Sequence, residues 1–396
     1  METDEIPKNQ ELFLRLFNGR FIVEKDQDEI EYIKFKQQNV AFNKHQLTLT
    51  ICPTLECNLK CIYCYENQKK GMMTEKEINS IKLLVEKKSD IINNLNIIWY
   101  GGEPLLCHSL INELSKHFIK ICNEKNIKYN SSILTNGTLL NNLEDRFFEK
   151  NKISSVQITI DGDQSLHDKM RPMKNGNSSF EEILNGLRNI KNQSVNIGIR
   201  MNIDKKNYYK IDKLTSSIML IKDSFKGNLG VYFSKIGSGK SGEGCLYKNN
   251  CLTDREFAEI QIKLIKEICI KKSINYLLPL KQSKSVCYLP SISSFVVDPK
   301  CDLYKCWEHV GIYQYKVGII NLQGDIEIRN NPFFIKCSLF DATEYEKCKV
   351  CKVLPICLGG CPMKFFEKGS TTEPECQAIK YNIKDRIKIE YDLVKN

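Results

Sequence analysis

The chain has no long hydrophobic run, no signal-like start and no block of like charge, and each absence removes a class of protein. No apolar stretch in the 396 residues reaches the roughly 18 positions of a membrane helix, so no membrane span is expected. The opening METDEIPKNQ is acidic and polar. It lacks the basic start and apolar centre of a secretory signal, which points to the cytoplasm. The formal charge is +10, from 58 basic and 48 acidic residues, but the lysines come as scattered pairs such as Lys69-Lys70, Lys87-Lys88, Lys205-Lys206 and Lys271-Lys272. Scattered lysine makes a solvated surface rather than a nucleic-acid footprint. No nucleic-acid partner is expected, and the excess charge suits an acidic peptide.

Cysteine is what the chain has in quantity: 18 residues, with three at 57–64 and six at 337–376. Disulfides do not persist in a reducing compartment, so clustered thiols there point to metal or redox chemistry. The rest of the composition, 42% hydrophobic and 27% charged, is ordinary for a globular chain. The length fits two or three domains, or one large barrel with additions.

Residues 1–45 form a short N-terminal extension, too small for a domain. FLRLFNGRFIVEKDQDEIEYIKF predicts a small hairpin or a helix followed by a strand. A repeating pattern then begins. QLTLTIC (46–52), NIIWY (96–100), SSILTNG (131–137), VQITIDG (156–162), VNIGIRMNI (195–203) and LGVYFSKI (229–236) read as strands. Helices are expected at about 74–89, 108–124, 142–150, 178–191, 206–222 and 253–272; Thr74 with Glu77 opens the first as a capping box. Six strand–helix units imply an α/β fold with a parallel sheet, best fitted by a partial (β/α)6 TIM-like barrel over 46–275. Loops after the strand ends carry the chemistry of such folds. The cysteine loop, GGEP, TNG and DG all lie there. From 276 to 396 strands are short and turns and cysteines frequent. SFVVDPKCDLYKCW (294–307) reads as a hairpin turning at about 298–302. This is expected to be a small loop-rich domain organised by metal, closing with a C-terminal helix.

ECNLKCIYCYE (56–66) carries Cys57, Cys61 and Cys64 on one loop. A structural zinc site wants four nearby ligands, and the only other thiol or imidazole close in sequence is Cys52, on a strand and expected to be buried. Three soft ligands suit three irons of a [4Fe–4S] cluster with the fourth iron open. A zinc site completed from afar, or three core cysteines, are the alternatives.

These residues resemble the radical S-adenosylmethionine (SAM) superfamily, whose CxxxCxΦC hallmark is matched by Cys57, Cys61, the aromatic Tyr63 and Cys64. The resemblance implies that the open iron binds SAM. Gly101-Gly102-Glu103-Pro104 matches the family's GGEP at the end of the next strand. GGEP alone is weak; after this triad it is specific. The glycines are expected to let backbone approach the methionine ammonium, with Glu103 as an acceptor. Thr159 and Asp161, in a TIDG segment, and Asn136 and Asn202 at two other strand ends are further SAM-contact candidates. HDKMRP (167–172) follows as in family members that act on peptides.

The C-terminal cysteines resemble the SPASM extension, which carries auxiliary iron–sulfur clusters. Its C-x2-C-x5-C-x3-C core and later cysteine are matched by Cys348, Cys351, Cys357, Cys361 and Cys376. The resemblance implies a second auxiliary [4Fe–4S] cluster on Cys348, Cys351, Cys357 and Cys376. It implies a first on Cys287, Cys306 and Cys361, for three clusters in all with the SAM-binding one. A zinc ribbon is the alternative for the C-x2-C pair. The chain departs from the family in two ways. Relatives with a fully ligated first auxiliary cluster carry two cysteines before the hairpin, where only Cys287 stands here. Cys301, at the hairpin turn, and Cys245 or Cys251 are the remaining candidates for a fourth ligand. Cys107, Cys122, Cys269 and Cys337 have no partner spacing and are expected to be buried thiols. Second, sulfatase-activating relatives place an acidic base after the hairpin cysteine, where this chain has Trp307.

The resemblance thus implies a peptide maturase that cleaves SAM to a 5′-deoxyadenosyl radical. The favoured product is a thioether from a cysteine sulfur to a carbon of a ribosomally made precursor peptide. Carbon–carbon or carbon–oxygen crosslinking, and oxidation of a protein Ser or Cys, are the alternatives; a non-catalytic electron-transfer module is the reading from another class. Expected partners are a cysteine-containing peptide, a donor such as flavodoxin or ferredoxin, and a separate leader-binding protein, because 45 residues are too few for a leader-binding domain.

Overall fold

The structure, a computed structural model, describes residues 10–18, 23–66, 70–191, 194–237, 247–278, 280, 285, 287–328, 331–367 and 376–395. In the extension the expected hairpin or helix-plus-strand is replaced by two helices, Gln10–Asn18 and Glu29–Ala41. The second starts where Asp28 accepts from the amides of Ile30 and Glu31 at 2.9 and 3.0 Å, an N-cap that competes successfully with extended backbone. Its buried Ile33 packs with Ala342, Leu354 and Leu358 of the cysteine-rich end.

Six strands follow: β1 (Gln46–Ile51), β2 (Asn94–Trp99), β3 (Lys128–Thr135), β4 (Ile153–Ile160), β5 (Asn196–Ile203) and β6 (Leu229–Lys235). Each pairs in parallel with the next. The helices Glu75–Lys88, His108–Glu124, Ser179–Asn189, Ile211–Ser224 and Asp254–Leu264 form the crossovers, giving the parallel α/β arrangement of a partial barrel. Two expected helices differ. The one placed at 142–150 is mostly loop, with a 3-10 turn at Leu140–Asn142 and one helical turn at Phe147–Lys150. The one placed from 206 starts at Ile211, because Asp204 Oδ1 captures the amides of Lys206 and Asn207 and holds a turn there.

Strand alternation divides the sheet into an apolar face and a polar one. Leu47, Leu49, Ile51, Leu95, Ile97, Trp99, Ile158, Ile199 and Met201 are buried under the helices against Ile81, Leu84, Ile111, Leu114 and Phe118. The opposite face carries Thr48, Asn96, Asn130, Gln157, Thr159, Arg200 and Asn202. These groups bond across strands: Asn96 Nδ2 to Thr48 Oγ1 at 3.2 Å, Asn130 Nδ2 to Asn96 Oδ1 at 2.9 Å, and Tyr232 hydroxyl to Gln157 Oε1 at 2.6 Å. Paired in this way, polar groups can line an interior without a large desolvation cost.

The sheet does not stop at β6. Short β7 (Asn275–Tyr276) adds to β6, and β8 (Ser294–Val297) pairs in parallel with the free edge of β1. The antiparallel strands β9 (Asp302–Tyr304), β10 (Gly318–Ile320) and β11 (Ile326–Glu327) extend it to eleven strands. The β8–β9 hairpin turns at the expected place, where Asp298 Oδ1 accepts from the amides of Lys300 and Asp302. The backbone pairing therefore crosses from the strand–helix region into the cysteine-rich region. That region is otherwise short helices and loops, followed by the helix Ile379–Lys395. Asn382 of that helix donates to Ala258 O and Gln261 Oε1 at 3.0 and 2.9 Å, tying the chain end back to the last crossover helix. Among the described residues no helix is long and apolar enough to cross a membrane.

Phe118 is fully buried at the centre of the main core. Phe118→Ala is expected to cost about 3–5 kcal/mol, read as a lower urea midpoint at unchanged slope.

Candidate active site at the cysteine loop

The loop after β1 is held as a partly extended segment. Thr54 bridges to Met72 and Leu59 to Met173. The amides of Lys60 and Ile62 donate to Pro172 O and Met170 O at 2.8 and 3.0 Å, and Lys174 N donates back to Asn58 O at 2.9 Å. The HDKMRP segment is thus a backbone clamp on the cysteine loop. Cys57, Cys61 and Cys64 all line one cleft, with Tyr63, Gly101, Gly102, Asn136, Thr159, Arg171, Arg200 and Asn202 in its wall. Cys52 is fully buried outside it, as expected. Burial pushes the Cys57 thiol up to about 11 and the Cys61 thiol up to about 12, with the neighbouring thiolates adding to the shift at Cys61. Among the described residues no three His, Cys, Asp or Glu side chains converge on a point that one metal ion could occupy. A tetrahedral zinc would need its thiolates about 3.8 Å apart, given its roughly 2.3 Å bonds. A cubane takes one thiolate per iron, and three thiols on one loop are the donor set of a [4Fe–4S] cluster with one iron left open.

The glycines of GGEP line the cleft and also pack against the cysteine loop. A Cβ on Gly101 would lie 2.3 Å from Thr54 O, and one on Gly102 2.2 Å from Glu56 O. Gly101 also has φ +118°, a conformation that disfavours side chains. Gly102 N donates to Thr54 O at 3.2 Å and Glu103 N to Glu56 O at 2.8 Å. The backbone that approaches this closely is the cysteine loop itself. Glu103 is fully buried. Its Oε1 accepts from Thr135 Oγ1 at 2.7 Å and Leu105 N at 3.0 Å, and its Oε2 from Asn136 N at 2.7 Å. Burial pushes the carboxyl up and these donors pull it back. It is not among the residues that line the cleft; its acceptors are used to fix the turn after β3. That turn aims Asn136, whose Nδ2 lies 2.8 Å from Asn58 Oδ1 and 3.7 Å from Cys57 Sγ.

Tyr63 joins the other candidates. Its hydroxyl donates to Asp161 Oδ2 at 2.5 Å and accepts from Arg171 Nη1 at 2.8 Å and Asn202 Nδ2 at 3.0 Å. Asp161 lies behind the wall, fully buried. Burial pushes its carboxyl up, and Arg171 opposes the shift. Thr159 lies in the wall beside Arg200, its partner across β4 and β5. Arg200 Nε donates to Asn202 Oδ1 at 3.0 Å. Arg171 faces the cleft with an Nε that has no hydrogen-bond partner among the described residues. Three thiols, a cationic side chain with spare donor capacity, a hydroxyl and two amides fit a cluster and a zwitterionic, hydroxyl-bearing ligand.

Sequence reading did not assign Arg171, Arg200, Gln157, Tyr65, Glu66 or Tyr100 to this cleft. Period-two alternation was the available signal for Gln157 and Arg200, two positions before Thr159 and Asn202. Nothing local marks the rest. Tyr65 and Tyr100 share a 2.5 Å hydroxyl contact, and Trp307 stacks on Tyr100 at 5.4 Å, bringing the β8–β9 hairpin to the cleft wall. Burial pushes the Glu66 carboxyl up to about 8, with Tyr100 as its hydrogen-bond partner.

The C-terminal cysteines gather in two places. Cys348, Cys351, Cys357 and Cys376 line one small cavity. Cys287, Cys306 and Cys361 lie close enough that their charges act on one another. Cys301 does not join them. It is buried in the main core, with Sγ 3.6 Å from Glu77 O and φ +62°, because the hairpin turn points it at the crossover helix. Cys251 lies in a separate cluster beside Tyr247, and Cys245 lies outside the described residues. Cys107, Cys122 and Cys269 are buried as expected. Cys337 is fully buried too, but it packs in the same cluster as Cys306 and Cys361, a neighbourhood that spacing does not reveal.

A parallel strand–helix sheet with three thiols on its first loop, braced by GGEP over a polar cleft, offers the donor set of an iron–sulfur cluster beside room for a small polar ligand. Residues 51–213 match the family profile of the Radical SAM superfamily. Over these residues the chain carries a radical SAM domain, of a family that binds SAM and a [4Fe–4S] cluster. It is similar to the cysteine-type anaerobic sulfatase-maturating enzyme of Clostridium novyi (strain NT), 27% identical over 362 residues, which is 84% of this chain and 93% of that one. Its fold is similar to that of native anSMEcpe with bound AdoMet: TM-score 0.65, 21% identity, 88% of this chain and 100% of that one. It is also similar in fold to Streptococcus suis SuiB bound to the precursor peptide SuiA: TM-score 0.56, 15% identity, 92% and 86% covered.

Two substitutions test this construction. Gly102→Ala drives a methyl group onto Glu56 O and is expected to abolish iron binding at the loop while the far-ultraviolet circular dichroism stays native. Tyr63→Phe removes the hydroxyl shared by Asp161, Arg171 and Asn202. It is expected to cost about 1–3 kcal/mol in denaturant titration with iron retained.

Proposed function

We propose that the chain is a maturase of a ribosomally made precursor peptide, joining a cysteine sulfur of that peptide to one of its carbons. The observation that carries this reading is the first auxiliary group: Cys287, Cys306 and Cys361 lie together, Cys301 and Cys251 are turned elsewhere, and Trp307 stands in place of an acid; Cys337, which packs beside the three and whose charge acts with that of Cys287, is the thiol this reading leaves unligated. A three-thiolate cluster leaves a position for a substrate sulfur. Trp307 offers an apolar face and no base.

When bound, SAM and the cluster on Cys57, Cys61 and Cys64 supply a 5′-deoxyadenosyl radical that takes a hydrogen atom from a peptide carbon. The chain's residues do the rest by position. The Gly101–Gly102 backbone fixes the thiols, and Asn136 donates toward Cys57 Sγ, which tunes the sulfur. Arg171, Arg200, Asn202 and Thr159 face the cosubstrate's polar groups from the wall of the cleft. Closing the thioether releases the thiol proton and one electron. The residues suited to hold the acceptor are Cys287, Cys306 and Cys361, with the second set, Cys348, Cys351, Cys357 and Cys376, holding a further cluster. A flavodoxin or ferredoxin would supply the initiating electron, and a separate protein would present the leader.

One observation favours a second reading. The likeness to a cysteine-type sulfatase-maturating enzyme runs through most of both chains, and Glu66 supplies a carboxyl in the cleft that Trp307 does not. The reaction would then be oxidation of a peptide cysteine to an aldehyde. Mass spectrometry separates the two. The crosslink loses two hydrogens and blocks thiol alkylation, whereas the aldehyde reacts with hydrazines.

Reconstituted protein with SAM and a strong reductant is expected to release 5′-deoxyadenosine, and Cys61→Ala to release none. Cys337→Ala is expected to keep the full iron content and the crosslinking yield. Loss of a cluster in that variant would make Cys337 a fourth ligand and end the thioether reading.

A further inference from the structure

We propose that Lys380 sets the reduction potential of the second auxiliary cluster upward, by a charged hydrogen bond to the Cys351 sulfur. The inference rests on the assignment of Cys348, Cys351, Cys357 and Cys376 as that cluster's ligands.

Lys380 stands in the first turn of the closing helix Ile379–Lys395. Its Nζ lies 2.9 Å from Cys351 Sγ, and both side chains line the cavity that the four thiols share. Val353 N approaches the same sulfur at 3.4 Å, so Cys351 Sγ receives one ammonium and one backbone donor. A second lysine, Lys347, lines the same cavity. Lys380 is only half-buried and is held by the packing of its helix on Asp254–Leu264 through Asn382. The bond therefore forms between two segments far apart in sequence. Neither the cysteine spacing nor the helix pattern contains it.

The physical consequence has one sign. Reduction adds an electron to a cluster already surrounded by thiolates. A cation in contact with one ligand sulfur stabilises that added charge, and donors to ligand sulfur raise the potentials of iron–sulfur centres. Lys380 thus makes the second cluster the easier one to reduce than its four thiolates alone would allow. It is a positioning residue: it touches a ligand, not the reacting peptide.

The experiment is a spectropotentiometric titration, followed by electron paramagnetic resonance, of protein carrying Cys57→Ala, Cys61→Ala and Cys64→Ala so that only auxiliary signals remain. Lys380→Met is expected to lower one midpoint and leave the other unmoved, with iron content unchanged. Lys380→Arg, which keeps charge and donor, is expected to retain the original value. An unshifted midpoint in Lys380→Met overturns the proposal. If Lys380→Met fails to hold iron, Lys380→Gln carries the test, and an unmoved midpoint there overturns it equally. Failure of the underlying assignment looks different: Cys376→Ala would then leave iron content unchanged.

Discussion

The structure depends on one backbone contact. The carbonyls of Thr54 and Glu56 sit where the side chains of residues 101 and 102 would begin, and each also accepts an amide from the GGEP strand end. Only glycine leaves that room. The two hydrogen bonds carry the sheet's register beyond the ends of β1 and β2 into the loops, so the thiols inherit the rigidity of the parallel sheet. A cluster site on a free loop would lose entropy when the metal arrived; here much of the ordering is already done by the fold.

Buried charge is managed around the same loop. Asp161, Arg171, Tyr63 and Asn202 form one group inside the protein, with the tyrosine hydroxyl as common partner. A carboxylate alone at that depth would be costly. Arranged as it is, the group fixes the aromatic ring between two cysteine ligands and leaves Arg171 with donor capacity toward the cleft. Glu103 is used in the same manner at the next strand end, where its acceptors are filled by the turn that aims Asn136. Both acidic residues commit acceptors to the side chains and turns that surround the cleft.

The cysteine-rich end is built on the sheet rather than beside it. β8 fills the edge of β1 that the partial barrel leaves open, and its hairpin brings Cys306 and Trp307 toward the cleft, with Trp307 on Tyr100. Backbone pairing from β1 through β8 to β9 therefore links the start of the cysteine loop to the segment that leads into Cys306.

Periodicity determined the six parallel strands and most of their helices, and spacing the three thiols on one loop, because each is a local pattern fixed by backbone geometry; the grouping of the C-terminal cysteines was implied by the resemblance to the SPASM extension. The late start at Ile211 arose from a polar side chain, Asp204, capturing nearby amides, which hydrophobic pattern does not register; the helix expected at 142–150 is a 3-10 turn and a single helical turn. The N-terminal extension became helical through Asp28 and the anchoring of Ile33 on residues more than three hundred positions away. Only the tertiary structure decided why GGEP has its glycines, where Cys301 points, that Cys337 joins Cys306 and Cys361, and that Lys380 meets Cys351. Each of those is a contact between segments distant in sequence. Sequence names the chemical groups available, and packing chooses which of them meet.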